Sequence, residues 1–291
     1  MTRLPSPIEG FAAKTAGRCK AVIDRSWPRN TSRVWELISD TGEHVYLKQH
    51  SSARFHEREV AAYRHWSAAL GPGRTPVLLA ADADLRSMVI TAVPGQPARE
   101  LAVPGGTEAE IYRQAGMLLR RLHDAAPPAS SLPATSRVVA RVEDHLRRSG
   151  RLLERAQVRL IRDHAARLEQ MTALIPGVPT HGDAQPRNFL WDAPKERLAV
   201  IDFERAEVAP AVRDLVRLEY GPWDGRPELR ASFLAGYGRT LTGTEETALR
   251  SFAALDALSG LLWGTANNDQ DVLVRSQRTL ARLSVRELGS P

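Results

Sequence analysis

The chain reads as an α+β protein of two lobes, a small antiparallel sheet followed by a larger helical region. Three observations predict it. Residues 33–40 (RVWELISD) and 44–49 (HVYLKQ) alternate apolar and polar side chains around Thr41-Gly42, the pattern of an antiparallel hairpin. A loop-rich connection with Pro94-Gly95, Pro97 and Pro104-Gly105-Gly106 then changes the composition. Beyond it, amphipathic helical patterns dominate. The 291 residues exceed the usual single-domain size, which suits two lobes around a cleft.

The elements follow in order. After the hairpin, Ser52 opens a helix to about Leu70, and Gly71-Pro72-Gly73 closes it. Residues 77–80 and 87–93 (SMVITAV) read as two further strands. Helices are expected over about 107–125, 137–175, 228–240 and 244–286, with breaks, and short strands at 189–191 and 198–202. The seam falls near 91–95, giving an N-terminal nucleotide-binding lobe of residues 1–93 and a C-terminal catalytic and substrate-binding lobe of 94–291.

Composition narrows the classes. No run of about 18 apolar residues exists, so no membrane-spanning helix is expected. The N-terminal MTRLPSPIEGFAAK lacks an apolar signal core, so a cytoplasmic location is expected. Cys19 is the lone cysteine, and no Cys/His cluster has zinc-ligand spacing. Net charge is +6, yet the arginines are scattered along helical stretches and aromatics make up only 6%, so nucleic acid is not the expected partner. Of 40 basic residues only Lys14, Lys20, Lys48 and Lys195 are lysines, so a lysine inside an apolar strand, Lys48, calls for a reason.

The chemistry concentrates in His181-Gly182-Asp183-Ala184-Gln185-Pro186-Arg187-Asn188, followed by Ile201-Asp202-Phe203-Glu204. Pairing Trp191 with Leu198 across the turn Asp192–Arg197 sets Asn188 opposite Ile201, one step from Asp202. An amide oxygen and a carboxylate then share one end of a hairpin, with Asp183 on the loop before it. Magnesium takes oxygen ligands, commonly one or two carboxylates plus phosphate oxygens. A separate carboxylate can orient a hydroxyl and accept its proton. Asp183 is thus a candidate base, and Asn188 and Asp202 are candidate metal ligands. Singly each also fits a turn or a strand end; the combined spacing carries the chemistry.

The pattern H-G-D-x-x-x-x-N with I-D-F-E resembles the aminoglycoside phosphotransferase and choline kinase superfamily, relatives of protein kinases. The resemblance implies a bilobal protein-kinase-like fold, ATP or GTP as phosphoryl donor, Mg2+, and transfer to a small-molecule hydroxyl. It also implies that Lys48 holds phosphates and that a helix carboxylate orients it. Glu57 and Glu59 compete for that role. Phe55, Glu59, Ala62, Tyr63 and Trp66 share one helical face, so Glu59 points inward and Glu57 to solvent.

Further nucleotide contacts rest on position in the resemblance. Asn30, Thr31 and Ser32 stand where the superfamily has a phosphate-covering loop, although the same residues suit a turn before a strand. Ile90 to Gly95 resembles the hinge, with the Thr91 carbonyl and the Val93 N–H meeting the purine edge. Two departures stand out: Gln185 occupies the position where protein kinases carry a lysine, leaving Arg187 as the nearest cation, and Glu204 replaces the glycine of D-F-G. Both suit small-molecule kinases. Asp214 is expected to be structural and His123 to be a packing residue.

The resemblance therefore implies a nucleotide-dependent O-phosphotransferase, with an antibiotic, inactivated by the transfer, as the expected acceptor. Arginines outnumber acids over 141–170, a field that opposes a polycation, so a neutral nucleoside-type or other non-aminoglycoside acceptor is preferred. An aminoglycoside or a metabolite of sugar, choline or homoserine type are the alternatives. So is a local acidic pocket using Glu143, Asp144, Glu219 or Asp224. A silent nucleotide-binding module would need a gap in the Lys–Glu–Asp–Asn–Asp set, and the set is complete.

Overall fold

A computed structural model describes residues 4–26, 32–129, 137, 139–171 and 174–288. It is mixed α+β, with an antiparallel sheet near the N-terminus and helices dominating the C-terminal half. Asn30 and Thr31 lie outside the described residues.

The sheet has five antiparallel strands in the order β1-β2-β3-β5-β4: β1 Cys19–Asp24, β2 Arg33–Ser39, β3 His44–Gln49, β4 Leu78–Asp82 and β5 Ser87–Thr91. The expected hairpin is β2–β3, with Val34 opposite Lys48 and Leu37 opposite Val45 across a turn in which Gly42 has φ 87°. Lys48 in turn faces Met88 of β5, so the lysine sits in the central strand. Helix α2, Ala53–His65, starts where Ser52 accepts from the Phe55 amide, and a 3-10 turn, Ser67–Leu70, ends at Gly71.

Two elements escape the sequence pattern. Helix α1, Ser6–Ala16, lays Ile8 and Ala12 with Leu4 on a cluster of Trp35, Leu37, Leu47 and Val89. Within the helix the residues that pack on this cluster are Ile8, Phe11, Ala12 and Ala16, two of them alanines, too weak a stripe for periodicity to register. Strand β1 is an edge strand of half-buried residues with no clean alternation.

Two compact units divide the described chain, and neither is contiguous in sequence. The first contains the sheet, α2 and, from far downstream, His181–Glu207. That downstream piece holds strands β8, Phe189–Asp192, and β9, Arg197–Val200, which form a small sheet with β6, Gln96–Pro97. The observed register pairs Trp191 with Leu198 as the sequence requires. The Ile201 amide donates to the Asn188 carbonyl at 3.1 Å, extending that register to the site.

The second unit is largely helical. Gly243–Ala266 packs between Arg155–Met171 and Gln270–Leu288 and buries side chains around most of its circumference. Thr242 and Glu245 close a reciprocal capping box at its start. Helix α3, Gly105–His123, meets Pro227–Tyr237 so closely that a Cβ at Gly236 would lie 1.7 Å from the Arg113 carbonyl oxygen. Within the expected helical stretch 137–175, separate helices occupy Val142–Ser149 and Arg155–Met171, with a break where Gly150 takes a positive φ. Strand β7, Gly177–Thr180, and β10, Glu207–Pro210, were not expected; each is four residues long, with a proline that weakens strand propensity. No described helix is long and apolar enough to cross a membrane.

Candidate active site

Strand alternation places Lys48 on the inner side of β3, where it is 6% exposed. Its ammonium reaches three carboxylates: Asp202 Oδ1 at 2.6 Å, Glu59 Oε2 at 2.7 Å and Glu204 Oε2 at 3.1 Å. Burial alone would push the lysine pKa down; the fields of Asp202, Glu59 and Glu204 outweigh it and hold the pKa well above the ordinary value. Glu59 is 1% exposed, whereas Glu57 is exposed, as the helical face requires. Burial pushes the Glu59 carboxyl up, but Lys48 and His50 pull it down to about 2.

Glu59 ties three elements together. Its Oε2 also meets His50 Nε2 at 2.6 Å, and its Oε1 accepts from the Phe203 amide at 3.2 Å. Phe203 is fully buried between Tyr63, at 5.3 Å in an edge contact, and His181, at 4.8 Å. Ser32 donates to Glu204 Oε2 at 3.1 Å, so its hydroxyl joins the carboxylate cluster. Asp202 itself has φ 70°, a left-handed conformation that few non-glycine residues adopt. Burial, Glu59 and Glu204 push its carboxyl pKa up against the pull of Lys48.

The second half of the site is the loop 181–188. His181 is buried and bridges two backbones: Nε2 contacts the Ile201 carbonyl at 2.9 Å, and Nδ1 accepts from the Asp183 amide at 3.3 Å. A carbonyl can only accept and an amide N–H can only donate, so the proton sits on Nε2. Gly182, at φ 75°, passes so close to Arg205 that a Cβ would lie 2.1 Å from its carbonyl oxygen. Asp183 is 2% exposed. Its Oδ1 accepts from Gln185 at 2.7 Å, and its Oδ2 from Arg187 at 2.7 Å and Asn188 at 3.2 Å.

Asn188 also donates to the Asp183 carbonyl at 2.9 Å. Both partners are acceptors, so the amide nitrogen faces Asp183 and the amide oxygen turns elsewhere. The oxygen donors of Asn188 and Asp202 suit a hard divalent cation. His50, Glu59 and Glu204 also cluster, with ligand atoms within 4.8 Å of one another. There the Lys48 ammonium already supplies the positive charge on Glu59 and Glu204.

The remaining candidates are at the end of β5. Thr91 pairs with Val45, and its hydroxyl accepts from the Val77 amide at 2.9 Å. Val93 lies two residues beyond the strand and is half-buried. Asp214 is buried in a 3-10 segment, Ala211–Leu215, and His123 is buried at the end of α3.

Four contributors were absent from the sequence-derived set of site residues: His50, His181, Arg187 and Glu204. His50 was legible in principle, because two residues along a strand returns to the same face as Lys48. His181, Arg187 and Glu204 sat inside the motifs, but only the folded loops show what they touch.

Buried lysine–carboxylate pairing on a sheet, joined to an Asp/Asn loop in this fold, defines a protein-kinase-like small-molecule phosphotransferase. The chain belongs to the phosphotransferase enzyme family, whose model matches residues 28–252. No curated protein sequence matches it. Among solved structures it is similar to a thermostable mutant of aminoglycoside phosphotransferase APH(4)-Ia in its apo form, at 16% identity, covering 97% of this chain and 100% of that one with a TM-score of 0.73. It is also similar to the gentamicin–APH(2″)-IIa complex, at 14% identity, 97% of each chain and a TM-score of 0.69. A third is macrolide 2'-phosphotransferase MphH from Brachybacterium faecium, at 19% identity, 95% of this chain, 98% of that one and a TM-score of 0.60.

Proposed function

We propose that this enzyme moves the γ-phosphoryl group of ATP or GTP onto a hydroxyl of a small-molecule antibiotic, with Mg2+. The supporting observation is the convergence of Lys48, Glu59 and Asp202 in one ion-paired cluster, beside an Asn188 bonded to Asp183. Similar solved structures include complexes with ATP, with ADP and with GDP, which support a nucleotide donor.

Each residue then has a role. Lys48, oriented by Glu59, holds donor phosphates. Asn188 and Asp202 hold the magnesium, which when bound neutralises phosphate charge. Asp183 orients the acceptor hydroxyl and takes its proton. The acceptor oxygen forms a bond to the γ-phosphorus, the bond from that phosphorus to the bridging oxygen breaks, and the nucleoside diphosphate leaves with the electron pair. The Thr91 carbonyl and the Val93 N–H meet the purine edge, and Ser32 borders the phosphates.

A neutral or weakly charged acceptor, not an aminoglycoside, is the preferred substrate. The four carboxylates considered for an acidic acceptor pocket are each ion-paired with arginine. Glu143 is bidentate to Arg162 at 2.8 and 2.9 Å, and Asp144 meets Arg147 at 3.2 Å. Glu219 meets Arg282 at 2.7 Å and Arg230 at 3.0 Å, and Asp224 meets Arg282 at 3.3 Å. A polycation would compete with those arginines for these four carboxylates. A mass-shift screen of hydroxylated antibiotics, seeking one added phosphoryl group, tests the function. Efficient turnover of a kanamycin- or streptomycin-like substrate at micromolar KM would refute the acceptor preference.

A further inference from the structure

We infer that Arg187 supplies the positive charge that meets the transferring phosphoryl group. The inference rests on the phosphotransferase function proposed above. Arg187 sits in the 3-10 turn Pro186–Asn188, between the proposed base and a proposed metal ligand. Its Nη2 donates to Asp183 Oδ2 at 2.7 Å, and its side chain remains 38% exposed. That bond uses one of five guanidinium N–H groups, and among the described residues no other protein acceptor takes a hydrogen bond from Arg187. A planar fork with unused donors, fixed beside the carboxylate that faces the acceptor, is the geometry that binds a phosphoryl group.

Charge points the same way. Burial pushes the Arg187 pKa down, yet Asp183, Asp202 and Glu204 raise it overall, so the guanidinium lies within the field of the carboxylates that surround the reaction. The other side chain reaching Asp183 from this turn is the neutral Gln185, donating to Oδ1 at 2.7 Å. Among the described cations, Lys48 has its ammonium held by three carboxylates, which leaves Arg187 as the one bonded to Asp183 with donors to spare. In the transfer, negative charge spreads over the equatorial phosphoryl oxygens, and a preorganised cation there is worth most in the transition state.

The test compares wild type with R187Q and R187K. Glutamine keeps an N–H for Asp183 but removes the charge; lysine keeps the charge but not the fork. Magnesium with ADP or GDP and aluminium fluoride, a mimic of the transferring phosphoryl group, is titrated calorimetrically, and nucleotide turnover is measured with water or an antibiotic as acceptor. Expected for R187Q are diphosphate affinity within about twofold of wild type, loss of at least about tenfold of the tightening by aluminium fluoride, and a kcat lower by about 100-fold. R187K should recover about tenfold of that kcat. Equal tightening in R187Q and wild type, or R187K no better than R187Q, overturns the inference. A wild type that neither tightens nor turns over overturns the phosphotransferase function itself, a distinguishable result. If R187Q melts early, R187M takes its place.

Discussion

Glu59 Oε1 accepts the Phe203 amide at 3.2 Å while its Oε2 holds the Lys48 ammonium at 2.7 Å, across 144 residues of sequence in the first contact. One carboxylate therefore fixes both the lysine and the backbone that carries Asp202 and Glu204. Removing it should disturb the lysine and the Asp202 loop together.

Glu59→Ala is expected to raise nucleotide KM by at least about tenfold. Lys48 keeps Asp202 and Glu204 but loses its orienting carboxylate, and the Phe203 amide loses its acceptor. Such bonds to a charged group are worth about 1.5–3 kcal/mol each. Glu57→Ala, on the exposed face of α2, should stay within about twofold. Nucleotide KM values for both variants settle the comparison, and equal effects would remove the basis for the helical-face assignment.

Asp183→Ala and Asp202→Ala should each lose nearly all transfer activity, with a kcat lower by about 100-fold or more. They differ in binding. Asp183→Ala should keep nucleotide affinity within about threefold, whereas Asp202→Ala should lose magnesium-dependent binding. Calorimetric titration of the nucleotide with and without magnesium separates them, and more than about a tenth of wild-type kcat in Asp183→Ala would sink its role as base.

His181→Ala should lower kcat by about 100-fold at nearly constant nucleotide KM. The imidazole aligns the Asp183 backbone through the Ile201 carbonyl, and displacing a reacting group by about 1 Å costs that much. A matching rise in nucleotide KM, with kcat preserved, would show that the ring serves the phosphate cluster instead.

Acid stability should carry the mark of Glu59. Its pKa falls from an ordinary 4.5 to about 2 in the folded chain, so below about pH 4.5 the unfolded chain binds the extra proton. The stabilisation is complete above that range and is lost as pH falls towards 2. Chemical denaturation from pH 6 to 3 should show wild-type stability declining towards that of Glu59→Gln. A difference between the two that stays constant with pH would contradict it.

Much of the site was legible because its signals are short-range. The β8–β9 register follows from turn length and alternation, so Asn188 and Ile201 could be set opposite each other from the residues alone. The inward face of α2 follows from helical periodicity, which selects Glu59 over Glu57 without knowledge of its partner. Motif spacing gave Asp183, Asn188 and Asp202 for the same reason: separations of five to nineteen residues constrain where their side chains can go.

Tertiary structure alone decided what those side chains meet. Lys48 and Asp202 are 154 residues apart, and no periodicity reports that an ammonium will find three carboxylates there. Helix α1 and strand β1 escaped because a short, alanine-rich stripe and a half-buried edge gain order only from the sheet they pack with. Arg187 was an unassigned cation until the loop closed on Asp183. Local pattern fixes which face a residue presents, since backbone geometry is periodic; the partner on that face depends on chain closure over long separations, which only the packed fold supplies.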